Sequence, residues 1–335
     1  NDLIFSRYSS ILRMHQEQVG MVLTRKAKTM FRTRVLWFLL LLLITAVPVS
    51  SQDGSPTNPA RANAYAWVEL VRNGRHPEIS AALISPDSYT VYNPFQPAGA
   101  PVSIDDAIAG EAAFQTAFPD MQFTHYLILA QGNYAAYVTY QEGHFQAPYF
   151  DVEPTGDYWH GPLVALLELD DGKVVREFDA WNQQAFLQDM GWAEPTYTFD
   201  AQPWAVELGS TSTTPDQHLF MIHTVFNATA SSNIQNVFPR YYDPNVVVHD
   251  YLGDLVGLDA LIAHEERLQT IPGFTPIESQ IVCDGDLCLA YASASADGAD
   301  GPVNLLWMSL HRFVDGKIVE EWWLYDNAAM WSMLP

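Results

Sequence analysis

Two stretches of the chain decide its fold because they repeat one another: DDGKVVREFDAWNQQAFLQDMG at residues 170–191 and VDGKIVEEWWLYDNAAMWSMLP at residues 314–335. At a constant offset of 144 positions, the identical pairs are Asp171/Asp315, Gly172/Gly316, Lys173/Lys317, Val175/Val319, Glu177/Glu321 and Ala185/Ala329. An Asp-Gly pair between two extended runs is a strong signal of a β-hairpin. The repetition predicts one folding unit that is used twice.

Each copy shows the same order of elements around this hairpin. Helical patterns begin near Ala64 and Ser103 in the first copy, and near His218 and Gly257 in the second. Each second helix ends just before a proline, which cannot continue it. Apolar strands then lead into the Asp-Gly turns, at residues 162–169 and 305–313. Helices followed by a meander of strands predict two tandem α+β domains, each closing a curved antiparallel sheet over its helices.

The N-terminal part is set apart by composition. Basic residues precede an apolar run at residues 35–47, and small residues follow it. This run has the length of the hydrophobic region of a signal peptide and is shorter than a membrane span. We therefore predict a leader at 1–51 and a secreted or periplasmic protein, with an uncleaved membrane anchor as the alternative. The remaining boundaries are domain 1 at 60–194, a linker rich in Pro, Ser and Thr at 195–215, and domain 2 at 216–335.

Composition excludes one class of partner. The chain has 16 Lys and Arg against 39 Asp and Glu, a formal net charge of −23, while 48% of its residues are hydrophobic. Such a negative field repels phosphate backbones and anionic membranes, so we predict no nucleic-acid partner and no membrane contact after signal cleavage. No metal-ligand spacing, phosphate-binding glycine loop or dinucleotide fingerprint is present, and we predict neither a metal nor a cofactor.

The two cysteines lie in IVCDGDLCLAY, at Cys283 and Cys288. A two-residue turn at Gly285 and Asp286 would make them a cross-strand pair, close enough for a disulfide. Export would supply the oxidising conditions. The alternatives are a pair of reduced thiols in the core and a metal-binding pair, which lacks a third ligand of suitable type nearby in sequence.

Longer stretches of both copies resemble a known family. The segments FPDMQF (118–123) and EGHFQAPYFDVEPTGDYWHG (142–161) precede the hairpin of the first copy, and NVVVHD (245–250) precedes that of the second. In order and spacing they resemble the SnoaL-like polyketide cyclase or ester cyclase family of the NTF2-like superfamily. The resemblance implies cone-shaped folds with a deep apolar pocket, cofactor-free acid–base catalysis by a pocket carboxylate, and pairing of domains as an internal pseudo-dimer or a homo-oligomer.

The resemblance also directs attention to the segment after the Asp-Gly turn, where family cyclases carry Glu-x-Trp-x-x-x-Asp with a catalytic Asp. The second copy keeps this pattern as Glu320, Trp322 and Asp326. The first copy has Arg176, Phe178 and Asn182 instead. An amide does not exchange protons near neutral pH, so we expect domain 1 to be a degenerate copy. Its predicted pocket residues are Asn182, Phe178 and His144.

Hairpin register predicts which residues accompany Asp326. A two-residue turn at Asp315 and Gly316 would pair His311 with Glu320, Ser309 with Trp322, Trp307 with Leu324, and Leu305 with Asp326, all on one face. A carboxylate among such apolar side chains has a raised pKa, which suits a general acid or base. We predict Asp326 in that role, with His249 and His311 as hydrogen-bond partners of an enolate. The predicted substrate-binding residues are Trp307, Trp322, Leu305, Leu324 and Glu320.

Structural roles remain open for the same residues. Asp326 could cap the terminal helix, and His249 could be a hydrogen-bonded structural histidine. His311 could form a rim pair with Glu320, and His144 could order a loop. The leading hypothesis is therefore an exported protein that binds an apolar, carbonyl-bearing small molecule and acts on it as a cyclase, isomerase or hydratase. The alternatives are a ligand-binding module without catalysis and a protein-interaction module.

Overall fold

A computed structural model describes residues 58–94, 96–149, 152–191, 203–204, 206–250, 253–298 and 301–325. The predicted leader at 1–51, residues 195–202 and 205 of the predicted linker, and Asp326 lie outside these residues. None of the helices in the described ranges is both long enough and apolar enough to cross a membrane.

Domain 1 begins with helices and continues into a six-stranded sheet. Its helices are α1 (Pro59–Ala66, extended by a π-helical segment, Trp67–Asn73), α2 (Ser80–Leu83), α3 (Ile104–Ala117) and α4 (Gln183–Asp189). Its strands are β1 (Thr90–Asn93), β2 (Gln96–Pro101), β3 (Gln122–Gln131), β4 (Tyr134–His144), β5 (Tyr158–Asp170) and β6 (Lys173–Trp181). The strand order across the sheet is β2-β1-β6-β5-β4-β3.

Domain 2 repeats this arrangement. Its helices are α5 (Pro215–Ala230), α6 (Ile234–Tyr241) and α7 (Leu258–Leu268). Its strands are β7 (Tyr242–His249), β8 (Leu255–Val256), β9 (Thr275–Asp284), β10 (Leu287–Gly298), β11 (Gly301–Val314) and β12 (Lys317–Tyr325). The order β8-β7-β12-β11-β10-β9 matches that of domain 1 strand for strand. The prediction of two tandem α+β cone folds is confirmed.

Each sheet is mixed rather than wholly antiparallel. The strands β1 and β6 pair in parallel, and so do β7 and β12, while the other neighbours are antiparallel. The parallel pair arises because the chain leaves β1 or β7, passes through the second long helix and the meander, and returns beside its starting strand. This return places the last strand of each domain near the sheet centre.

The Asp-Gly turns form as the sequence predicts. Asp171 and Gly172 have φ of 47° and 74°, and Asp315 and Gly316 have φ of 48° and 76°. Two successive residues with positive φ match the twist of a tight hairpin, and Asp and Gly are among the residues that tolerate this conformation.

A disulfide closes the hairpin between β9 and β10. Cys283 and Cys288 are cross-strand partners, one pair beyond Asp284 and Leu287 at the turn, and their sulfurs are bonded. The predicted pairing is confirmed.

The two sheets pack face to face. Buried apolar side chains of β3 to β6 and of β9 to β12 form one continuous cluster, and Phe178 lies against Tyr291 with ring centroids 4.4 Å apart. Trp204 and Val206 of the linker pack against the same cluster. The central strands are therefore buried on both faces, which explains why their sequences are continuously apolar instead of alternating. Pairing of the domains through their sheets follows the prediction.

Candidate functional site

Domain 2 encloses a cavity between its sheet and its helices. The cavity has a volume of about 200 Å³, and its lining includes the aromatic side chains of Phe226, Phe238, Tyr242, Phe274, Trp307, Trp323 and Tyr325. The polar groups that reach it include Ser309, His311 and Glu321 of the sheet and His264 and Glu265 of α7. A largely apolar cavity with a few converging polar groups is the usual form of a small-molecule site.

Three of these polar side chains form a hydrogen-bonded chain on adjacent strands. Ser309 Oγ lies 2.7 Å from His311 Nε2, and His311 Nδ1 lies 2.8 Å from Glu321 Oε1. Their exposed fractions are 3%, 1% and 1%, so the chain is shielded from bulk solvent. Trp323 Nε1 donates to Glu321 Oε2 at 2.7 Å and fixes the carboxylate from the other side. Strand pairing dictates this arrangement, because His311 and Glu321 are direct cross-strand partners.

The two glutamates of the cavity have opposite pKa shifts. Burial alone would raise the pKa of Glu321, but the charge and hydrogen bond of His311, with hydrogen bonds from Tyr242 and Trp323, bring that pKa below its ordinary value. Burial and the nearby Glu321 raise the pKa of Glu265 to about 7, although Thr229 donates a hydrogen bond to it. Burial also lowers the pKa of His264. The cavity thus holds an ionised carboxylate beside a histidine and a second carboxyl group that titrates near neutral pH.

The predicted substrate-binding residues divide between the two faces of the sheet. Trp307 lines the cavity, as His311 does, and Leu305 packs beside it with Tyr325. Trp322 and Leu324 instead point into the contact between the two sheets. The predicted pairing is wrong, because each residue of β11 pairs one position further along β12 than expected. The observed pairs are His311 with Glu321, Ser309 with Trp323 and Trp307 with Tyr325. The predicted partners were Glu320, Trp322 and Leu324.

A β-bulge causes this difference. Phe313 pairs with Ile318 next to the turn, but Arg312 pairs with Glu320, so Val319 is an extra residue in β12. Because side chains alternate along a strand, one extra residue exchanges the two faces. Domain 1 has the same bulge, since Leu169 pairs with Val174 and Glu168 with Arg176.

His249 lies away from the cavity. Its Nε2 is 2.9 Å from Glu320 Oε1, its Nδ1 is 3.2 Å from Asp254 Oδ1, and its ring stacks on Trp322 at 5.3 Å. The prediction that His249 shares a pocket with His311 is wrong, because the bulge places its partner Glu320 on the opposite face of β12. The surroundings of His249 match the alternative of a structural histidine.

The predicted pocket residues of domain 1 are also dispersed. Phe178 is buried between the sheets, for the same reason of register. Asn182 accepts a hydrogen bond from the backbone N–H of Ala185 at 3.0 Å and caps α4. His144 is exposed and binds Asp120 with 2.6 Å between His144 Nδ1 and Asp120 Oδ2, which orders a loop. Asp326, which corresponds to Asn182 in the repeat, lies outside the described residues.

The interior of domain 1 carries a different polar cluster. Tyr89 donates a hydrogen bond to Glu177, and Glu177 is hydrogen-bonded to Asp179 two residues further along β6. Burial, followed by the charge of Glu177, raises the pKa of Asp179 well above its ordinary value. Arg72 forms an ion pair with Glu111, with 3.2 Å between Nη1 and Oε2. This cluster combines two adjacent carboxyl groups with one buried cation.

The residues that sequence reasoning missed are Glu321 and Glu265. The signal for Glu321 was present, because Glu177 and Glu321 are identical in the repeat whereas Glu320 is replaced by Arg176. Glu265 also has a counterpart, since IAGE at 108–111 matches IAHE at 262–265 in the second long helix. Among the described residues, no group of three or more His, Cys, Asp or Glu side chains is placed to hold a metal ion.

Comparison with known proteins agrees with this architecture. Residues 62–190 match the family described as SnoaL-like polyketide cyclase, and residues 222–321 match the family described as SnoaL-like domain. No curated protein is similar enough in sequence to be counted as a relative.

Several solved structures resemble parts of the chain. AclR, described as a candidate hydroxylase from Streptomyces galilaeus, is 26% identical, with 40% of this chain and 85% of AclR covered and a TM-score of 0.35. A candidate SnoaL-like polyketide cyclase from Jannaschia sp. CCS1 is 18% identical, with coverage of 43% and 99% and a TM-score of 0.36. IdmH from Streptomyces antibioticus, a candidate polyketide cyclase, is 23% identical, with coverage of 40% and 98% and a TM-score of 0.32. With both halves matched, the chain carries two SnoaL-like domains in tandem.

Proposed function

We propose that domain 2 binds an apolar, carbonyl-bearing small molecule in its cavity and transfers a proton on it without a cofactor, as in a cyclisation, isomerisation or hydration. The observation that carries this proposal is the buried chain of Ser309, His311 and Glu321, which reaches an aromatic cavity of about 200 Å³. Hydrogen-bonding groups held in a water-poor site stabilise a developing charge better than the same groups in water. The cavity thus provides both an apolar binding volume and a fixed polar end.

The hydrogen bonds assign a role to each member of the chain. Glu321 is ionised, so it accepts from His311 Nδ1–H, and His311 Nε2 then accepts from the Ser309 hydroxyl. When a substrate carbonyl becomes an enolate, the Ser309 hydroxyl can turn and donate its hydrogen bond to the enolate oxygen. Glu321 holds the His311 ring through Nδ1–H, so that Nε2 stays directed at Ser309.

Asp326 remains our proposed general acid or base. It directly follows β12, whose last described residue, Tyr325, lines the cavity. The helix-cap alternative has support from domain 1, where Asn182 caps α4 from the corresponding position. Replacement of Asp326 by Asn separates the two roles, because Asn retains the cap and cannot exchange the proton.

A ligand-binding module without catalysis is the second candidate. Both ring nitrogens of His311 already have hydrogen-bond partners. A satisfied buried histidine suits a structural role as well as a catalytic one. A pocket of this kind would still bind an apolar molecule, so binding and turnover have to be measured separately.

We also propose that the protein is exported. The basic and apolar leader at 1–51 supports this location, and the disulfide between Cys283 and Cys288 agrees with an oxidising compartment. An activity of this kind would then act on a molecule outside the cytoplasm.

The experiment is exchange of hydrogen for deuterium at the carbon next to the carbonyl of 2-tetralone, followed by NMR in D₂O. Abstraction and return of one proton produce this exchange without any co-reactant other than solvent. We expect the protein to accelerate it, and His311→Leu, which introduces the residue found at Leu167 in domain 1, to lower the rate about 100-fold. The matched control is His223→Leu on the exposed side of α5. Binding of 2-tetralone without exchange would favour the second candidate.

A further inference from the structure

A pair of glutamates lies in the interior of each domain. One comes from the second long helix, Glu111 in α3 and Glu265 in α7, and the other from the last strand, Glu177 and Glu321. Within each pair the two side chains are close enough to influence one another electrostatically, and the negative charge of one raises the pKa of the other. The same tyrosine contact accompanies both strand glutamates, from Tyr89 in domain 1 and from Tyr242 in domain 2.

Of the two helix glutamates, Glu111 is the one with an ion pair to a cation among the described residues. Arg72 contacts Glu111, and the guanidinium of Arg72 also lies 5.5 Å from the centre of the Phe123 ring. Arg72 thus places a positive charge directly beside Glu111 in the interior of domain 1.

The structure identifies the residue that stands in place of Arg72 in domain 2. Four residues after each helix glutamate, a glutamine donates from Nε2 to a backbone carbonyl of the first helix. Gln115 binds the carbonyl of Val71 at 2.8 Å, and Gln269 binds that of Thr229 at 2.7 Å. Val71 and Thr229 therefore occupy equivalent positions, and the residue after Thr229, which corresponds to Arg72, is Ala230.

The replacement by alanine leaves the glutamate facing the cavity. Ala230, Thr229 and Glu265 all line it, and Ala230 is exposed, so this part of the cavity is its mouth. Glu265 Oε2 accepts a hydrogen bond from Thr229 Oγ1 at 3.1 Å. A ligand that enters the cavity therefore passes beside the carboxyl group of Glu265. Ala230, which lines the same cavity, stands at the position where domain 1 has Arg72.

We propose that Glu265 is a catalytic acid–base residue of the domain 2 cavity, which takes a proton from the carbon next to the substrate carbonyl and returns it. The C–H bond breaks as the Oε–H bond forms, and protonation of the enolate by the same group completes the exchange. This inference rests on the proposed function and adds a residue to it: Glu265 exchanges the proton at carbon, and Asp326 exchanges a proton with the substrate oxygen.

The charged and titratable groups around Glu265 are consistent with this role. Glu321 faces it from β12, Tyr242 from β7, and His264 precedes it on α7, while His311 lies behind Glu321. Burial and the charge of Glu321 raise the pKa of Glu265 to about 7. Both protonation states are then populated near neutral pH, which is the condition for efficient proton transfer in both directions.

Three variants of the full chain test the assignment. Glu265→Gln removes the titrating group while keeping its size. Ala230→Arg introduces the cation that domain 1 has beside Glu111. Glu266→Gln is the matched control, because Glu266 is the exposed neighbour that binds Gln235. The readouts are a carboxyl ¹³C NMR titration of glutamate-labelled protein and the deuterium exchange of 2-tetralone.

We expect one glutamate signal of the parent to titrate near pH 7, to vanish in Glu265→Gln and to move to lower pH in Ala230→Arg. The exchange rate should fall about 100-fold in Glu265→Gln and remain unchanged in Glu266→Gln. A signal near pH 7 that persists in Glu265→Gln, or exchange that survives that substitution, would overturn the assignment. Failure of the parent to exchange 2-tetralone, with the titration near pH 7 intact and assigned to Glu265, would contradict the proposed function instead.

Discussion

The two domains have the same fold and differ in the side chains that lie beside the carboxyl groups of their interiors. In domain 1, Glu111 has Arg72, and the strand glutamate Glu177 has Leu167 as its cross-strand partner. In domain 2, Glu265 has no arginine at the equivalent position, and Glu321 has His311 across the strands. A buried cation lies beside the carboxyl groups of the first interior, whereas in the second interior burial and the charge of Glu321 raise the pKa of Glu265 to about 7.

The comparison separates the interior residues that both copies share from those that differ between them. Both copies keep the glutamates, the tyrosine donor and the bulge that turns Glu177 and Glu321 inward. At the positions described above, domain 1 has Arg72, Leu167, Ala165 and Asp179 where domain 2 has Ala230, His311, Ser309 and Trp323. Under the proposed function, activity depends on the partners of the shared carboxylates and not on the carboxylates alone.

The largest expected effect concerns the cation of domain 1. Replacing Arg72 by Met leaves Glu111, Glu177 and Asp179 in an apolar interior without a counter-charge, which typically costs about 3 to 5 kcal/mol of unfolding free energy. Urea unfolding would measure this loss, and Arg72→Met combined with Glu111→Gln should recover part of it. A loss below about 1 kcal/mol would show that the cation does not hold this interior together.

The next effect concerns the residues that follow the last strands, Asp326 and Asn182. We expect Asp326→Asn to lower the exchange rate of 2-tetralone about 100-fold while leaving its binding nearly intact, because Asn is isosteric and cannot transfer the proton. The reverse change, Asn182→Asp, should confer no exchange on domain 1, whose interior lacks the counterpart of His311. Full activity of Asp326→Asn would remove Asp326 from the mechanism. A lower melting temperature with unchanged exchange would assign it to the helix cap.

A smaller effect is expected at the hairpin that only domain 2 closes covalently. Cys283 and Cys288 occupy the first pair beyond the pair at the turn, where domain 1 has Ala130 opposite Ala135. Replacing both cysteines by alanine should lower the unfolding free energy by about 2 kcal/mol, since the closed loop is short. Thermal unfolding of the parent with and without reductant, compared with that of this variant, measures the effect. A parent protein that is equally stable under reducing conditions would contradict it.

The fold could be predicted because its signals, namely the repeat, the Asp-Gly turns and the helix-ending prolines, are each contained in a short stretch of sequence. The sequence did not predict the site, because one extra residue, Val319, exchanged the faces of β12. The hairpin rule fixed the turn correctly, but alternation beyond the bulge assigned Trp322 and Leu324 to the cavity instead of Trp323 and Tyr325. The identity of Glu177 and Glu321 in the repeat was the available signal. The pairing of Arg72 with Glu111 joins distant segments, and nothing in local sequence predicts it.

The most direct test of the account is whether a small apolar molecule enters domain 2 and not domain 1. The indole N–H signals in NMR distinguish the two interiors, because Trp307 and Trp323 line the cavity while Trp67 and Trp159 are buried in the core of domain 1. Single Trp→Phe variants assign each signal. On titration with 2-tetralone, we predict saturable shifts of Trp307 and Trp323 and none of Trp67 or Trp159. Shifts confined to Trp67 and Trp159, or the absence of any saturable shift, would contradict the account.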